Sequence, residues 1–482
     1  MGYIAGAHSK QGEDVSQIVG SMLEASSSLR GDSYGFSSPE DVEVYRENPE
    51  SPSIIGECLL GYKRVIVPPH STAQPLYQGS GSLIFHGHFW DAKGPEILDA
   101  ADLLRGDSRR GLRQLVSERD GSYVAAVAHK GGISCVRDVI GAVPLYYGES
   151  ESLVCIASNR KMLWNVDLKP EVMPPGSLLD ISSKGVEIHR WREIIKPRIK
   201  EVSMQDAVEM LDVVLSESVE KRSRDVKHAY LGFSGGLDSG VLARLLERSG
   251  VDIELICVGI EGSEELDIAR RAAEEMSLPY KSRAFPPEHV EETLGQTLRC
   301  VEEPNPMKIG VAMPQLWAAE EAARGGRGIF YSGSGSDELF GGYMKFVREY
   351  LSRGDVVEDS MYSSIITSHE VNLERDYKVY ADQGLELRLP FTDIDLVMLG
   401  LSLPPKLKLP SNLRGLRKRV LRHLARSLNI PREVAQRPKK AVQYSTGVNK
   451  TLLKLSKRED KRLHSYLEDK FNAMYPREFR LL

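Results

Sequence analysis

Two hydrophobic rhythms divide this chain. Up to about residue 200, short apolar runs are broken by glycine- and serine-rich turns. "SYVAAVAHKGGISCVRD" sets two apolar runs around Gly131-Gly132, a hairpin signal. "GSLIFHGHF" and "LVCIAS" are further strand candidates, and Val15–Leu29 carries helical apolar spacing. A basic connector, "IIKPRIKEV", then leads to Ser203. From there Met204, Ala207, Met210, Leu211, Val214 and Leu215 form a helical stripe, with Ser203 and Asp206 at capping-box spacing. These changes put a domain boundary near residue 200, giving domains 1–200 and 201–482.

The second part alternates strand and helix. "HAYLGF" precedes one helical pattern, "IELICVGI" precedes "ELDIARRAAEEM", and "RGIFYSGSG" precedes an acidic turn. That alternation predicts an α/β fold with a doubly wound parallel sheet. From about 365 to 482 the pattern is mostly helical, and "LRKRVLRHLARSL" is its clearest amphipathic stretch. No internal repeat is visible.

Composition narrows the functional classes. Of 482 residues, 41% are hydrophobic and 27% charged, as in ordinary soluble globular proteins. The net charge of -5 gives no basic surplus, so no nucleic-acid partner is expected. No run approaches the roughly 18 apolar residues of a membrane span, and the N-terminus shows no signal-peptide pattern. A cytoplasmic location without membrane attachment is the expectation. Cys58, Cys135, Cys155, Cys257 and Cys300 form no C-x-x-C pair and no ligand spacing with histidine, which points to buried thiols and away from zinc or sulfur-transfer chemistry.

Candidate chemistry begins at "SGGLDS", Ser234, Gly235, Gly236, Leu237, Asp238 and Ser239, where an apolar run meets a helical pattern. Glycines at such a turn let backbone approach a ligand, and the helix mouth attracts an anion. Ser234 and Ser239 add hydroxyl donors. Asp238 is an acid where phosphate would sit, which calls for a bridging cation such as Mg²⁺. Neither a Walker A loop nor a G-x-G-x-x-G fingerprint is present. "YSGSGSDELFGGY" repeats the arrangement, with Ser332 and Gly333 in the turn and then Asp337 and Glu338. Ligands of open α/β sheets collect at the carboxyl ends of strands, so Asp238 and Asp337 could hold one metal–triphosphate. Arg437, Lys439 and Lys440 in "RPKKAVQYSTGV" offer cations for developing negative charge.

Together these stretches resemble the asparagine synthetase family. S-G-G-L-D-S, the G-x-G-S/A-D-E-L-F-G-G-Y stretch at Gly333–Tyr343, and an acidic run formed by Asp376 and "ELRLPFTD" (Glu386–Asp393) match in order and spacing. The resemblance implies a pyrophosphatase-loop (PP-loop) domain that uses ATP and Mg²⁺ to adenylate a carboxylate, most simply aspartate, before an amine displaces AMP. Asp238 and Asp337 would bind the metal, residues 234–239 with Ser332 and Gly333 the nucleotide, and Lys439 the reacting centre. Ser334 stands where asparagine synthetases usually carry glutamate. A hydroxyl is a far weaker base, so capture of the amine is expected to suffer there, or to use a nucleophile needing no protein base, while adenylation survives.

The first domain resembles the family's glutamine amidotransferase half, an Ntn-type α+β sandwich. "MGYIAG", "LRGDSYG", "AQPLY", "GYKRVIV" with Arg64, and "RDVIGAVPLYYG" carry that resemblance. The family's nucleophilic cysteine is replaced by Gly2, its oxyanion-hole asparagine by His86, a substrate-binding glutamate by His88, and an aspartate by Gly94. Glycine has no side chain with which to attack an amide, so a degenerate glutaminase site, with ammonia as nitrogen donor, is expected. Action on another carboxylate, ring closure, and nucleotide binding without turnover stay open, as does the oligomeric state, a homodimer among the options.

Overall fold

The computed structural model describes residues 2–49, 52–65, 72–77, 81–91, 96–104 and 106–475. Contacts divide the described chain into two compact units, residues 2–193 with 472–475, and residues 194–471.

The first unit is two antiparallel sheets. One orders its strands Glu171–Val172, Tyr146–Glu149, Leu153–Ala157, Gly2–Ser9, Cys58–Arg64, Ser33–Ser37 and Val42–Tyr45. The other runs Gly185–Arg190, Ser177–Ser182, Gly132–Arg137, Gly121–His129, Ser82–Phe89 and Leu76–Tyr77. The Gly131 turn forms as its pattern predicts: His129 pairs with Gly132, whose φ of 130° needs glycine. Helical spacing at Val15–Leu29 yields a shorter helix, Ser16–Ala25, whose Val19, Met22 and Leu23 pack with Ala5, Ala7 and Phe36 of the first sheet. Helices Glu96–Leu103 and Ser108–Glu118 cover the second sheet with Ile97, Leu112 and Leu115.

The second unit opens with α1, Met204–Lys221, which Ser203 caps by accepting from the Asp206 N–H. Its sheet has five parallel strands: β1 His228–Gly232, β2 Asp252–Ile260, β3 Tyr280–Phe285, β4 Ile329–Tyr331 and β5 Glu386–Arg388. Ile253, Leu255, Ile256, Cys257 and Val258 are all buried, the near-continuous apolar run of a strand covered on both faces. The strand order is β3-β2-β1-β4-β5. It grows outward from β1, then returns to its other side, and right-handed crossovers then place helices on both faces. Four of the helices are α2 Leu237–Arg248, α3 Glu264–Met276, α4 Pro306–Ala323 and α5 Ser336–Phe340, and two later ones are α6 Glu374–Asp382 and α7 Arg419–Ser427. No helix among the described residues is long and apolar enough to cross a membrane.

"ELRLPFTD" is framework. Arg388 pairs with Glu386 at 2.6 Å and Asp225 at 2.7 Å, and buried Asp393 pairs with buried Arg222 at 2.8 Å. Asp393 also accepts from Asp395 N and Leu396 N, capping the next helix. Burial would raise its carboxyl, but the Arg222 charge outweighs this and holds it below the ordinary 3.8. A depressed carboxyl stabilises the fold above its unfolded pKa and loses that contribution as pH falls through the folded value. Asp393→Ala should therefore cost roughly 3–5 kcal/mol at pH 7. Denaturant melts should show this deficit shrinking below about pH 4. A deficit unchanged by acid would refute the pairing argument.

Candidate active site

Two loops meet where the strand order reverses. Residues 233–236 leave β1 and enter α2, and residues 332–335 leave β4 and enter α5. Tyr230 and Leu231 of β1 pair with Phe330 and Tyr331 of β4, so the loops lie side by side. Gly235 has φ 66°, and a Cβ there would lie 3.1 Å from the Ala269 backbone, so only glycine fits. A Cβ at Gly333 would lie 3.1 Å from the Asp238 side chain, which shows how closely the loops approach. Gly236 caps α2 without any side-chain hydrogen bond, leaving first-turn N–H groups for an anion. Ser239 turns its hydroxyl to Gly236 O at 3.3 Å, an arrangement that fixes the loop.

Asp238 and Asp337 come together as their motifs imply, but they share two lysines. Lys418 Nζ lies 2.7 and 2.8 Å from the Asp238 oxygens and 2.6 Å from Asp337 Oδ1. Lys439 Nζ lies 3.3 Å from Asp238 Oδ2 and 3.0 Å from Asp337 Oδ2. The Ser336 hydroxyl donates to Asp238 Oδ1 at 3.0 Å. Burial would raise both carboxyls, yet the charges of Lys418 and then Lys439 hold both below the carboxylate range. Burial would lower the Lys439 ammonium, but Asp337 and Asp238 raise it instead. All three groups thus stay charged at neutral pH.

Lys418 has no counterpart in the motif reading. It lies inside "LRKRVLRHLARSL", whose basic positions suggest a solvated face, and it is 1% exposed. The helix α7 starts only at Arg419. Lys418 itself precedes it at φ 60°, a strained conformation for a side-chain-bearing residue that turns its ammonium into the acids. Arg422 is also buried: its guanidinium donates to Arg417 O, Ala435 O and Arg437 O at 2.6, 2.6 and 3.0 Å. Arg417 in turn donates to Lys439 O at 2.6 Å. Arg422 is buried together with Val420, Leu421, Leu424 and Ala425, although helical spacing sets it outside their arc.

Of the three cations in "RPKK", only Lys439 reaches the acids. Arg437 donates to Ser234 O and Glu265 (2.7 Å), clamping the first loop, and Lys440 is exposed at the rim. The cleft encloses about 320 Å³ and contains every candidate of both loops except Gly235, which supports the turn from behind. On one side Ile256, Val258, Met307, Val311 and Pro314 make an apolar slot. Ser334 also lines the cleft and donates to Asp376 Oδ2 at 2.6 Å.

The positions that the amidotransferase resemblance singles out lie in the first unit. Gly2 sits on its strand opposite Arg64, and a Cβ there would fall 2.6 Å from both Lys63 O and the Tyr62 hydroxyl. Tyr62 OH lies 3.5 Å from His86 Nδ1. His88 Nδ1 is 2.9 Å from Glu96 and stacks on Trp90. Among the described residues no group of three metal-ligating side chains occurs. Gly94 and the Ile66-Val67 end of "GYKRVIV" lie outside the described residues.

Paired acids and lysines at the switch point of a parallel sheet, beside a glycine turn that opens a helix, define a synthetase domain of the PP-loop class. The asparagine synthase family profile matches residues 210–359 and 349–482. A putative glutamine-hydrolysing asparagine synthetase of Methanocaldococcus jannaschii is 30% identical, covering 90% of each chain. The glutamine-hydrolysing asparagine synthetase of Asparagus officinalis is 27% identical over 82% of this chain and 70% of its own. Among solved structures, a glutamine phosphoribosylpyrophosphate amidotransferase of B. subtilis aligns over 58% of this chain and 65% of its own, at 15% identity and TM-score 0.35, which carries no argument about function. The chain belongs to the asparagine synthase family and is an asparagine synthetase-like ATP-dependent ligase.

Proposed function

We propose that the chain joins ammonia to a small carboxylate, aspartate being the simplest, through an acyl-adenylate, and that it does not use glutamine. The observation that carries this reading is the Asp238–Asp337–Lys418–Lys439 cluster at the α2 mouth. The apolar slot suits a purine base, which puts a triphosphate across Ser234–Ser239 toward the two lysines. A carboxylate oxygen attacks the α-phosphorus and the bond to pyrophosphate breaks. The amine nitrogen then attacks the acyl carbon, AMP leaves, and the nitrogen loses a proton. Lys418 and Lys439 take up the charge of the departing pyrophosphate.

Mg²⁺ suits the oxygen donors of Asp238 and Asp337, with triphosphate oxygens completing the set. All four carboxylate oxygens now face ammonium groups, and a phosphate that draws Lys439 away would free Asp337 Oδ2, which Lys418 does not touch, for the cation. When bound, Mg²⁺ supplies charge neutralisation on the triphosphate. The same intact cluster speaks against a relative that binds nucleotide without turnover.

Pyrophosphate release tests the reading, measured with ATP, Mg²⁺, ammonium chloride and each of a panel of acids. Release that depends on one acid, with AMP formed in equal amount, is the expected result. ADP and phosphate as products, or no turnover with any acid, would sink it.

A further inference from the structure

Irregular backbone must find partners for its carbonyls, and residues 437–441, which carry Lys439, lie in neither helix nor strand. Two arginines serve this segment. Arg422 donates to Arg437 O at 3.0 Å, and Arg417 Nη2 donates to Lys439 O at 2.6 Å. The other terminal nitrogen of Arg417, Nη1, donates at 2.5 Å to Gly342 O in the turn that follows α5. Gly342 is built against the second acid. Its N–H donates to Asp337 O at 2.8 Å, and a Cβ there would lie 1.8 Å from Asp337 Oδ1. One planar guanidinium thus ties the backbone beside Asp337 to the backbone that bears Lys439. The two side chains meet at 3.0 Å between those tied points. Arg417 is itself held, because Arg422 Nε donates to its carbonyl at 2.6 Å. It also directly precedes Lys418, so adjacent residues divide the work. One ammonium touches the acids, and one guanidinium touches the main chain behind them.

Both Arg417 bonds end on carbonyls, so they do not depend on where the Lys439 side chain points. We propose that Arg417 is a positioning residue, which fixes the main chain of Lys439 relative to Asp337. The ammonium can then leave the acids for a departing pyrophosphate on a pivot that does not move. This deepens the ligase reading above and rests on it. Arg417 takes no part in the bonds made and broken and acts only through Lys439. The fork matters as well as the charge, because two carbonyls on separate segments need two donors at a fixed spacing.

Two replacements separate the fork from the charge. Arg417→Lys keeps the charge but offers one nitrogen in place of the fork, and Arg417→Ala removes both. Each should lower kcat for pyrophosphate release on the order of 10²-fold while the KM for ATP stays within about threefold. That is the pattern of a displaced reacting group, not of a lost binding contact. In Arg417→Ala, guanidinium chloride at a sub-denaturing concentration should recover part of kcat. Tetramethylammonium, which brings charge without donors, should not. Lysyl endopeptidase should cut after Lys439 or Lys440 about tenfold faster in both variants than in wild type, because a released segment opens more often. A kcat within about threefold of wild type in both variants, or a raised KM for ATP at unchanged kcat, would overturn the inference. So would full activity in Arg417→Lys, or cleavage at the wild-type rate. Should Arg417→Ala fail to fold, Arg417→Lys carries both measurements. No pyrophosphate release by wild type with any acid removes the ligase reading, and cleavage then still decides whether Arg417 pins the segment.

Discussion

Replacing Lys418 with methionine should reduce pyrophosphate release by on the order of 10³-fold, with losses at least as large for Asp238→Ala and Asp337→Ala. Lys418 is the buried member of the cluster. Its ammonium touches both acids and Ser336, whereas Lys439 is about a third exposed and can swing toward a ligand. Without Lys418 two carboxylates face each other inside the protein with one mobile cation between them. Like charges so placed raise one carboxyl's pKa until it takes up a proton, and a protonated acid is a poor ligand for a divalent cation. The arrangement that receives pyrophosphate is lost on both counts. Lys418→Arg separates charge from geometry, because a guanidinium preserves the sign but its planar fork cannot reach three oxygens as a point ammonium does. It should recover little activity. Near-normal turnover in Lys418→Met, with pyrophosphate measured directly, would show that Lys439 alone suffices. Thermal melts belong beside the kinetics, since removing one partner of a buried pair also costs roughly 3–5 kcal/mol of stability.

Lys418 also marks where sequence reading stops. The parallel sheet was legible because β1, β2 and β4 are short apolar runs with a glycine near their ends, alternating with helical stripes, whereas β3 "YKSRAF" and β5 "ELR" carry no such pattern. Asp238 and Asp337 were legible because each follows such a strand, and open sheets gather ligands at those ends. Lys418 lies 180 residues from Asp238 along the chain, inside a pattern that reads as an exposed basic helix. Its inward turn depends on a backbone conformation that no composition rule predicts for lysine. Asp376 shares a motif with Glu386 and Asp393 in the sequence, but in space it stands apart from their framework pairs and backs Ser334. Long-range side-chain partners are set by tertiary packing, and periodicity carries no information about them.

Glutamine should not serve as nitrogen donor, and Gly2→Cys should not make it one. Incubated with glutamine, the purified protein should release no more glutamate than a blank containing no enzyme. Glycine at position 2 offers no nucleophile, and the space where a side chain would extend is taken by the Lys63 carbonyl and the Tyr62 ring. Tyr62 is buried and lies beside His86, so the ring cannot withdraw without disturbing that neighbour. A cysteine placed there would have to push apart two paired strands at Gly2–Arg64 before its sulfur found any room. The expected outcome for Gly2→Cys is a less stable protein, by about 1–3 kcal/mol as for other overpacked sites, with glutaminase activity still at the blank. Pairing it with Tyr62→Ala should not restore stability, because the Lys63 carbonyl stays 2.6 Å from the added Cβ and the deleted buried ring leaves a cavity. It should still yield no glutamate, because His86 and His88 remain where an amide and a carboxylate would contact glutamine in the glutaminases this unit resembles. The loss at the oxyanion position alone is worth about 10²–10³ in rate. Glutamate released by wild type above the blank would refute the degenerate-site reading outright. Release only from Gly2→Cys would narrow the defect to the missing thiol and show that the rest of the glutamine pocket survives.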